Sequence, residues 1–168
     1  AYPLTPQAEA AHANWDRVAD NPYIRCENGM LAIMDQFFPM EIVDEGDRIL
    51  IRLEELDMIR TVHMTDAFPE PSPSPLGHSV GRWDGETLVV ATTHVTWPWF
   101  DQTGVPQTDA VAFIERFTLS SNGLRLNYSI RATDPDTFTE PVVLTRDWIW
   151  LPGETLQPYE CTIQESNY

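Results

Sequence analysis

Two charged side chains stand in stretches whose other inward positions are apolar. Every second residue along Val111–Leu119 is apolar except Glu115, and along Val142–Trp150 the exception is Arg146. Because strand side chains alternate between two faces, we predict that both charges point inward, where an unpaired charge is costly. A buried glutamate can act as a general acid or base, and a buried arginine can grip a carboxylate or enolate. A Glu115–Arg146 ion pair without any ligand fits the same pattern.

Two histidines offer a second source of acid–base chemistry. His63 and His94 each share a face of a predicted strand with apolar and threonine side chains. Facing inward on neighbouring strands, they could relay a proton or bind a metal. No HxH or HExxH spacing supports a metal, so the prediction is no metal, with Glu115, His63 and His94 as catalytic candidates. Hydrogen-bonded structural histidines are the alternative.

The tryptophans indicate where an apolar ligand could lie. Five of the six could line an aromatic cavity, with Arg146 holding the polar end of a ligand and Asp101 extending the polar network. At strand spacing, tryptophans also serve as ordinary core residues. The predicted ligand-binding residues are Arg146, Trp148, Trp150, Trp97, Trp99 and Asp101, and Trp83 completes the aromatic set.

The charge balance excludes several kinds of chemistry. The 168 residues carry 26 acidic and ten basic side chains, a net charge of −16, and all ten basic residues are arginine. Without lysine there is no Schiff base, no pyridoxal-phosphate lysine and no P-loop lysine. A strongly anionic surface repels phosphate backbones, which argues against nucleic acid and anionic membranes as partners. No apolar run approaches the ~20 residues that span a bilayer, and we predict no cofactor.

The two cysteines lie near opposite ends of the chain. A Cys26–Cys161 disulfide would close most of it into one loop, and a loop of that length stabilises the fold by up to roughly 5 kcal/mol. Two buried thiols are the alternative. A cysteine metal site is the weakest reading, since neither cysteine has a partner at ligand spacing.

Periodicity predicts a mainly β protein with a short N-terminal helix. Thr5 and Pro6 form a good helix start, Asn21-Pro22 ends the helical pattern, and a second helical turn is predicted in Met30–Phe37. After residue 38 the period becomes two, and turn residues separate eight or nine strands. The predicted strands are Met40–Asp44, Arg48–Leu56, Met58–Thr65, Ser79–Asp84, Thr87–Thr96, Ala110–Ser120, Leu124–Thr133, Pro141–Leu151 and Pro158–Ile163.

Short turns between consecutive strands favour an antiparallel meander. With this many strands we predict a closed or nearly closed barrel as one domain over residues 1–168, helical in 1–38 and stranded in 39–168. A curved sheet folded over the N-terminal helix is the alternative. Two longer loops interrupt the pattern. Asp66–His78 is rich in proline, and the aromatic Trp97–Thr108 is expected to cap the core or line the barrel mouth.

A set of short segments spread over most of the chain forms a recognisable pattern. These segments are Asn21-Pro22, Arg25-Cys26, Gly29-Met30, Pro39–Glu41, Gly77–Val90, Asp101, Gly104–Pro106, Glu115-Arg116, Asp134-Pro135, Pro141 and Tyr159–Cys161. In them the chain resembles a large family of exported, mostly uncharacterised bacterial proteins. The resemblance implies an exported all-β domain in which both cysteines belong to the pattern. Relatives often have His-Ser where this chain has Gln107-Thr108, so no proton-transfer role is carried over to that position.

Three functions fit these observations. The first is a periplasmic or secreted barrel that binds a small, largely apolar organic molecule in an internal pocket. The second is a cofactor-independent lyase, isomerase or hydratase that uses Glu115 or a histidine as acid or base. The third is a structural or assembly subunit without a pocket, with a protein partner or a second copy on its surface.

Overall fold

The fold is one eight-stranded sheet curled into a half-barrel. The computed structural model describes residues 1–34, 37–65 and 70–163. The strands follow one another across the sheet in chain order, and β1 and β8 form its two edges. The mainly β prediction is therefore confirmed, with a half-barrel that stays open in place of a closed one. The strands are β1 Met40–Asp44, β2 Arg48–Leu53, β3 Ile59–His63, β4 His78–Asp84, β5 Thr87–Thr93, β6 Ala112–Leu119, β7 Arg125–Thr133 and β8 Val142–Ile149.

One junction departs from the antiparallel meander. β3 and β4 run parallel and share only two register pairs, Val62 with Ser79 and His63 with Val80. Parallel neighbours need a long crossover, and residues 64–77 supply it. The prediction of an all-antiparallel meander is wrong here, because the proline-rich loop returns the chain to the end from which β3 started. Residues 66–69 of that loop lie outside the described ones.

The predicted ninth strand, Pro158–Ile163, is not formed. Residues 150–163, the C-terminal strap, contain no strand; they run from the end of β8 toward the β2–β3 turn. The backbone N–H of Gln157 donates to Glu54 at 2.8 Å, and that of Tyr159 donates to Asp57 at 3.2 Å. Two prolines in this segment and these side-chain acceptors replace a sheet ladder. The strap ends in the predicted disulfide, Cys26–Cys161, with a Cα–Cα distance of 5.9 Å.

The helix α1 spans Pro6–Ala13 and begins as its sequence predicts. The Thr5 hydroxyl accepts the N–H of Ala8 at 3.2 Å, and Pro6 occupies the first turn. The helix ends well before Asn21 because Asp16 accepts the N–H groups of Val18 and Ala19, which folds residues 16–20 into a turn. In the described residues no helix is long and apolar enough to cross a membrane.

The segment Met30–Met34 fills one end of the concave side, here called the packed end. All five residues are buried, and all except Ala32 belong to the main hydrophobic core. Ala32–Met34 form a 3-10 turn within the predicted helical range, of which residues 35 and 36 lie outside the described residues. The backbone N–H of Met30 donates to Pro75, and Gln107 donates to the Met30 carbonyl. The interior that a closed barrel would offer to a ligand is occupied here by the protein's own chain.

The aromatic loop covers the same end, as predicted. Phe100 is fully buried, Trp97 is buried and Trp99 is half-buried. The proline-rich loop lies beside it, because Ser74 bridges to Val95. The opposite end of the half-barrel carries the β4–β5 and β6–β7 turns and the end of β8, and is called the open end.

Candidate functional site

A charged pair lies at the centre of the half-barrel. Glu115, on β6, is 0% exposed, and Arg60, on β3, is 1% exposed. The Arg60 Nη1 donates to Glu115 Oε1 at 2.8 Å, and its Nη2 donates to Oε2, which makes the contact bidentate. Burial by itself would lower the pKa of Arg60, but the charge and hydrogen bonds of Glu115 outweigh it, so that pKa lies above its usual value.

Three hydroxyl groups satisfy the remaining atoms of the pair. Arg60 Nε and Nη2 donate to Ser79 Oγ at 3.1 and 3.0 Å, and Nη2 also donates to Thr92 Oγ1 at 2.7 Å. The Tyr128 hydroxyl donates to Glu115 Oε1 at 2.8 Å. The buried charge network is defined as these five residues, Arg60, Ser79, Thr92, Glu115 and Tyr128. Both carboxylate oxygens of Glu115 accept hydrogen bonds within it.

The prediction that Glu115 pairs with Arg146 was wrong, because Glu115 pairs with Arg60. Arg146 lies on β8 opposite Tyr128, and it is exposed where burial was predicted. Its place in the alternation is the concave side, as predicted, but the open end leaves that position accessible to solvent. Arg60 was missed although it carries the same signal: it alternates with Met58 and Val62, so it too stands on an apolar face.

The histidines do not join this network. Val62 points inward, so its neighbour His63 points to the convex side, where its ring stacks on that of His78 with centroids 5.1 Å apart. His94 is exposed, directly after β5, and its Nδ1 lies 2.8 Å from Thr93 Oγ1. The prediction that His63 and His94 face inward is wrong because the inward parity of β3 belongs to Arg60 and Val62, and β5 ends before His94.

The predicted ligand-binding residues separate into two groups. Trp97 and Trp99 belong to the packed end, whereas Trp148 and Trp150 lie at the open end, so they do not form one cavity. Asp101 is part of the aromatic loop itself: its Oδ1 accepts Thr103 N and Thr103 Oγ1 at 2.9 and 2.8 Å, which fixes a turn.

The concave side at the open end is apolar and exposed. Leu119, Leu126 and Trp148 face one another across β6, β7 and β8, and Leu124 and Trp150 continue the alternation beyond the strand ends. Leu119 is 62% and Trp150 is 64% exposed. Arg146 borders this group beside Trp148. The open-end surface is defined as Leu119, Leu124, Leu126, Arg146, Trp148 and Trp150.

This surface is linked to the buried charge network by aromatic rings in contact. The ring of Trp148 lies 5.2 Å from that of Tyr128, which lies 4.8 Å from that of Phe117. Tyr128 therefore presents its ring toward the open-end surface and its hydroxyl to Glu115. On the concave side of β6, β7 and β8 the charged residues are Glu115 and Arg146.

A second buried carboxylate, Glu55, lies at the β2–β3 turn. It is 3% exposed and accepts a hydrogen bond from Asn28 Nδ2 at 2.9 Å. Burial raises its pKa, and the bond from Asn28 opposes that shift only in part. No alternation marks this residue, since it lies in a turn, and sequence reasoning missed it.

Two open depressions lie on the surface of the protein. One, of about 460 Å³, is lined mainly by polar side chains of β6–β8 that face the convex side, together with Tyr128 and Arg146. The other, of about 480 Å³, lies where the N-terminal residues meet the start of β8, and its lining is mostly apolar with Glu140 beside it.

Comparison with known proteins finds no family model that matches this chain and no curated protein that matches it.

Proposed function

We propose that this protein binds a small, largely apolar organic molecule on its open-end surface, outside the cytoplasm. The observation that carries the proposal is a cluster of exposed tryptophan and leucine side chains beside Arg146 on a concave face. Large apolar side chains grouped on a surface, with a single polar anchor, are typical of sites for apolar ligands.

Arg146 indicates which charge the ligand would carry. A guanidinium beside an apolar surface favours an anionic head group, such as a carboxylate, that it can hold through two parallel hydrogen bonds. Glu115 does not compete with such a ligand for Arg146, because both carboxylate oxygens of Glu115 are bound by Arg60. The favoured ligand is thus an organic anion with a hydrocarbon or aromatic body.

The enzyme alternative has less support. Its base would be Glu115, which is buried and engaged at both oxygens, or one of two histidines on the convex side away from the concave face. The extracytoplasmic location rests on the disulfide, because such bonds persist in oxidising compartments.

Titration calorimetry with dodecanoate tests the proposal. We expect the wild-type protein to bind dodecanoate, and Arg146→Gln to weaken binding roughly tenfold to a hundredfold, since a hydrogen bond to a charged group contributes about 1.5–3 kcal/mol. Trp150→Ala should weaken binding of both dodecanoate and uncharged dodecanol, whereas Arg146→Gln should affect dodecanoate alone.

Arg131→Gln is the matched control, because it removes the same charge from an exposed position of β7 on the convex side. It should leave the affinity for dodecanoate unchanged. If neither compound binds, or if Trp150→Ala binds both as the wild type does, the open-end surface is not the site.

A further inference from the structure

The chain contains two Asn-Gly pairs, Asn28-Gly29 and Asn122-Gly123, and the fold places them in opposite environments. Asn28 is 4% exposed, in the segment that leads into the packed end, whereas Asn122 is exposed at the tip of the β6–β7 turn. Glycine has no side chain to shield its backbone nitrogen, so that nitrogen can approach the side-chain amide of the preceding asparagine. The two pairs therefore share one reaction and differ in whether the fold permits it.

In this reaction the glycine backbone nitrogen attacks Cγ of the asparagine before it and gives up its proton. The Cγ–Nδ2 bond breaks, and Nδ2 leaves as ammonia with that proton, so that a cyclic imide remains. Water then opens either carbonyl of the imide, which yields aspartate or isoaspartate. Nothing is oxidised or reduced, and water is the only co-reactant.

The contacts of Asn122 favour the attack on its Cγ. The Ser120 hydroxyl and the Leu124 N–H both donate to Asn122 Oδ1, at 2.7 and 3.1 Å. Two donors on one carbonyl oxygen stabilise the negative charge that develops there when the carbonyl carbon is attacked. Among the described residues, none accepts a hydrogen bond from Nδ2 of Asn122, so none of them retains the leaving group.

Gly123 supplies an accessible nucleophile. Open space surrounds its Cβ position, and its φ is +69°. Its N–H donates to the Ser120 carbonyl at 2.8 Å, and this bond must break before the nitrogen can attack. A single hydrogen bond at an exposed turn belongs to the least stable part of a fold, so it opens often. The bond therefore slows the reaction at Asn122 without preventing it.

Asn28 is held in a way that blocks the same steps. Its Nδ2 donates to the buried carboxylate of Glu55 at 2.9 Å, and its Oδ1 accepts the N–H of Gly29 at 2.7 Å. Gly29 is fixed in turn, because the Trp97 ring lies 2.4 Å from its Cβ position. The leaving group is thus retained, the nucleophile cannot shift, and the pair is buried away from bulk water.

We propose that Asn122 is a site of spontaneous deamidation and that the fold protects Asn28 from the same reaction. Conversion of Asn122 adds one negative charge at the open end, close in sequence to Leu124 of the open-end surface. Isoaspartate also lengthens the backbone of the β6–β7 turn by one methylene group, because the chain then runs through the former side chain. The modification is confined to this turn and leaves the buried charge network unaltered.

Mass spectrometry of peptides from protein stored at mildly alkaline pH tests this proposal. The peptide that contains Asn122 should gain about 1 Da, as the replacement of an amide by a carboxyl group requires, and should separate into an aspartate and an isoaspartate form. The peptide that contains Asn28 should react at least about tenfold more slowly, since it reacts only from locally opened molecules. In urea, where neither pair is protected, the two rates should become similar.

Asn122→Gln is the matched variant, because glutamine keeps the side-chain amide but must close a larger ring, which forms more slowly. Its turn peptide should keep its mass during storage, while its Asn28 peptide behaves as in the wild type. The proposal is overturned if native Asn122 stays unmodified while both pairs react in urea, or if Asn28 reacts as fast as Asn122 in the native protein. An equal mass gain in the turn peptide of Asn122→Gln would overturn it as well.

Discussion

The buried pair of Arg60 and Glu115 is the least substitutable feature at the scale of single residues. Each charge is fully desolvated and depends on the other for compensation. Removing one partner of such a pair typically costs about 3–5 kcal/mol, because the remaining charge stays buried. We expect Arg60→Met and Glu115→Gln each to lower the free energy of unfolding by about that amount, measured by urea denaturation.

A double variant distinguishes the energy of the ion pair from that of side-chain packing. Arg60→Met with Glu115→Gln leaves no uncompensated charge and keeps an acceptor for the Tyr128 hydroxyl, so its loss should be well below the sum of the single losses. The exposed pair Arg116–Asp84 is the control, and Arg116→Met should change stability by no more than about 1 kcal/mol. Additive losses in the double variant would contradict a mutually dependent pair.

The sequence predicted the burial of Glu115 but not its partner. Alternation assigns a side chain to one face of its strand, and for Glu115 that assignment is confirmed. It says nothing about which strands approach across a curved sheet. Arg60 reaches Glu115 from three strands away, over Ser79 and Thr92, and that distance closes only because the sheet curls. Arg146 has the same parity but stands on an edge strand, where solvent reaches it.

At the scale of elements, the stability of the core also depends on the segment before β1, which packs tightly on the aromatic loop. Gly29 packs so closely on Trp97 that a Cβ there would lie 2.4 Å from the indole ring. Trp97 is buried and cannot withdraw without opening the packed end. We therefore expect Gly29→Ala to destabilise the protein by about 1–3 kcal/mol, as overpacking of a core does. Thermal melting followed by circular dichroism measures the change.

Gly46→Ala is the control for that substitution. Gly46 lies in the β1–β2 turn with a φ of +90° and open space around its Cβ position, so alanine there introduces backbone strain without a clash. Its cost should stay near 1 kcal/mol. A Gly29→Ala protein that melts with the wild type would mean that Met30–Met34 does not pack as rigidly as the contact requires.

Strand boundaries were predicted well where a short turn joins two neighbouring strands, and poorly where a long segment connects them. The β4–β5 hairpin around Gly85 and the β6–β7 hairpin around Gly123 appear where their turn residues indicate. The parallel step after β3 was missed because a proline-rich loop does not reveal to which end of the sheet it returns. Pro158–Ile163 was predicted as a strand, but backbone N–H groups of the strap bond to acidic side chains and not to a neighbouring strand.

At the scale of the whole molecule, the Cys26–Cys161 disulfide fastens the strap to the N-terminal segment. It closes a separation of 135 residues, for which loop entropy predicts a stabilisation of up to about 5 kcal/mol. Reduction, or the double change Cys26→Ser and Cys161→Ser, should lower the melting temperature markedly. A wild-type sample carried through the same reducing step and reoxidised serves as the control. An unchanged melting temperature would show that the disulfide contributes nothing to the stability of the fold.

The same bond turns the chain into a covalent ring from residue 26 to residue 161. A protease that cuts once in the exposed β6–β7 turn, Ser121–Leu124, therefore opens the ring without releasing a fragment. The two pieces, one carrying β1–β6 and the other β7 and β8, remain joined through sulfur, and the nicked molecule keeps its mass on a non-reducing gel. A single cut would therefore leave the two pieces covalently joined, and only reduction or a second cut within the ring could release a fragment.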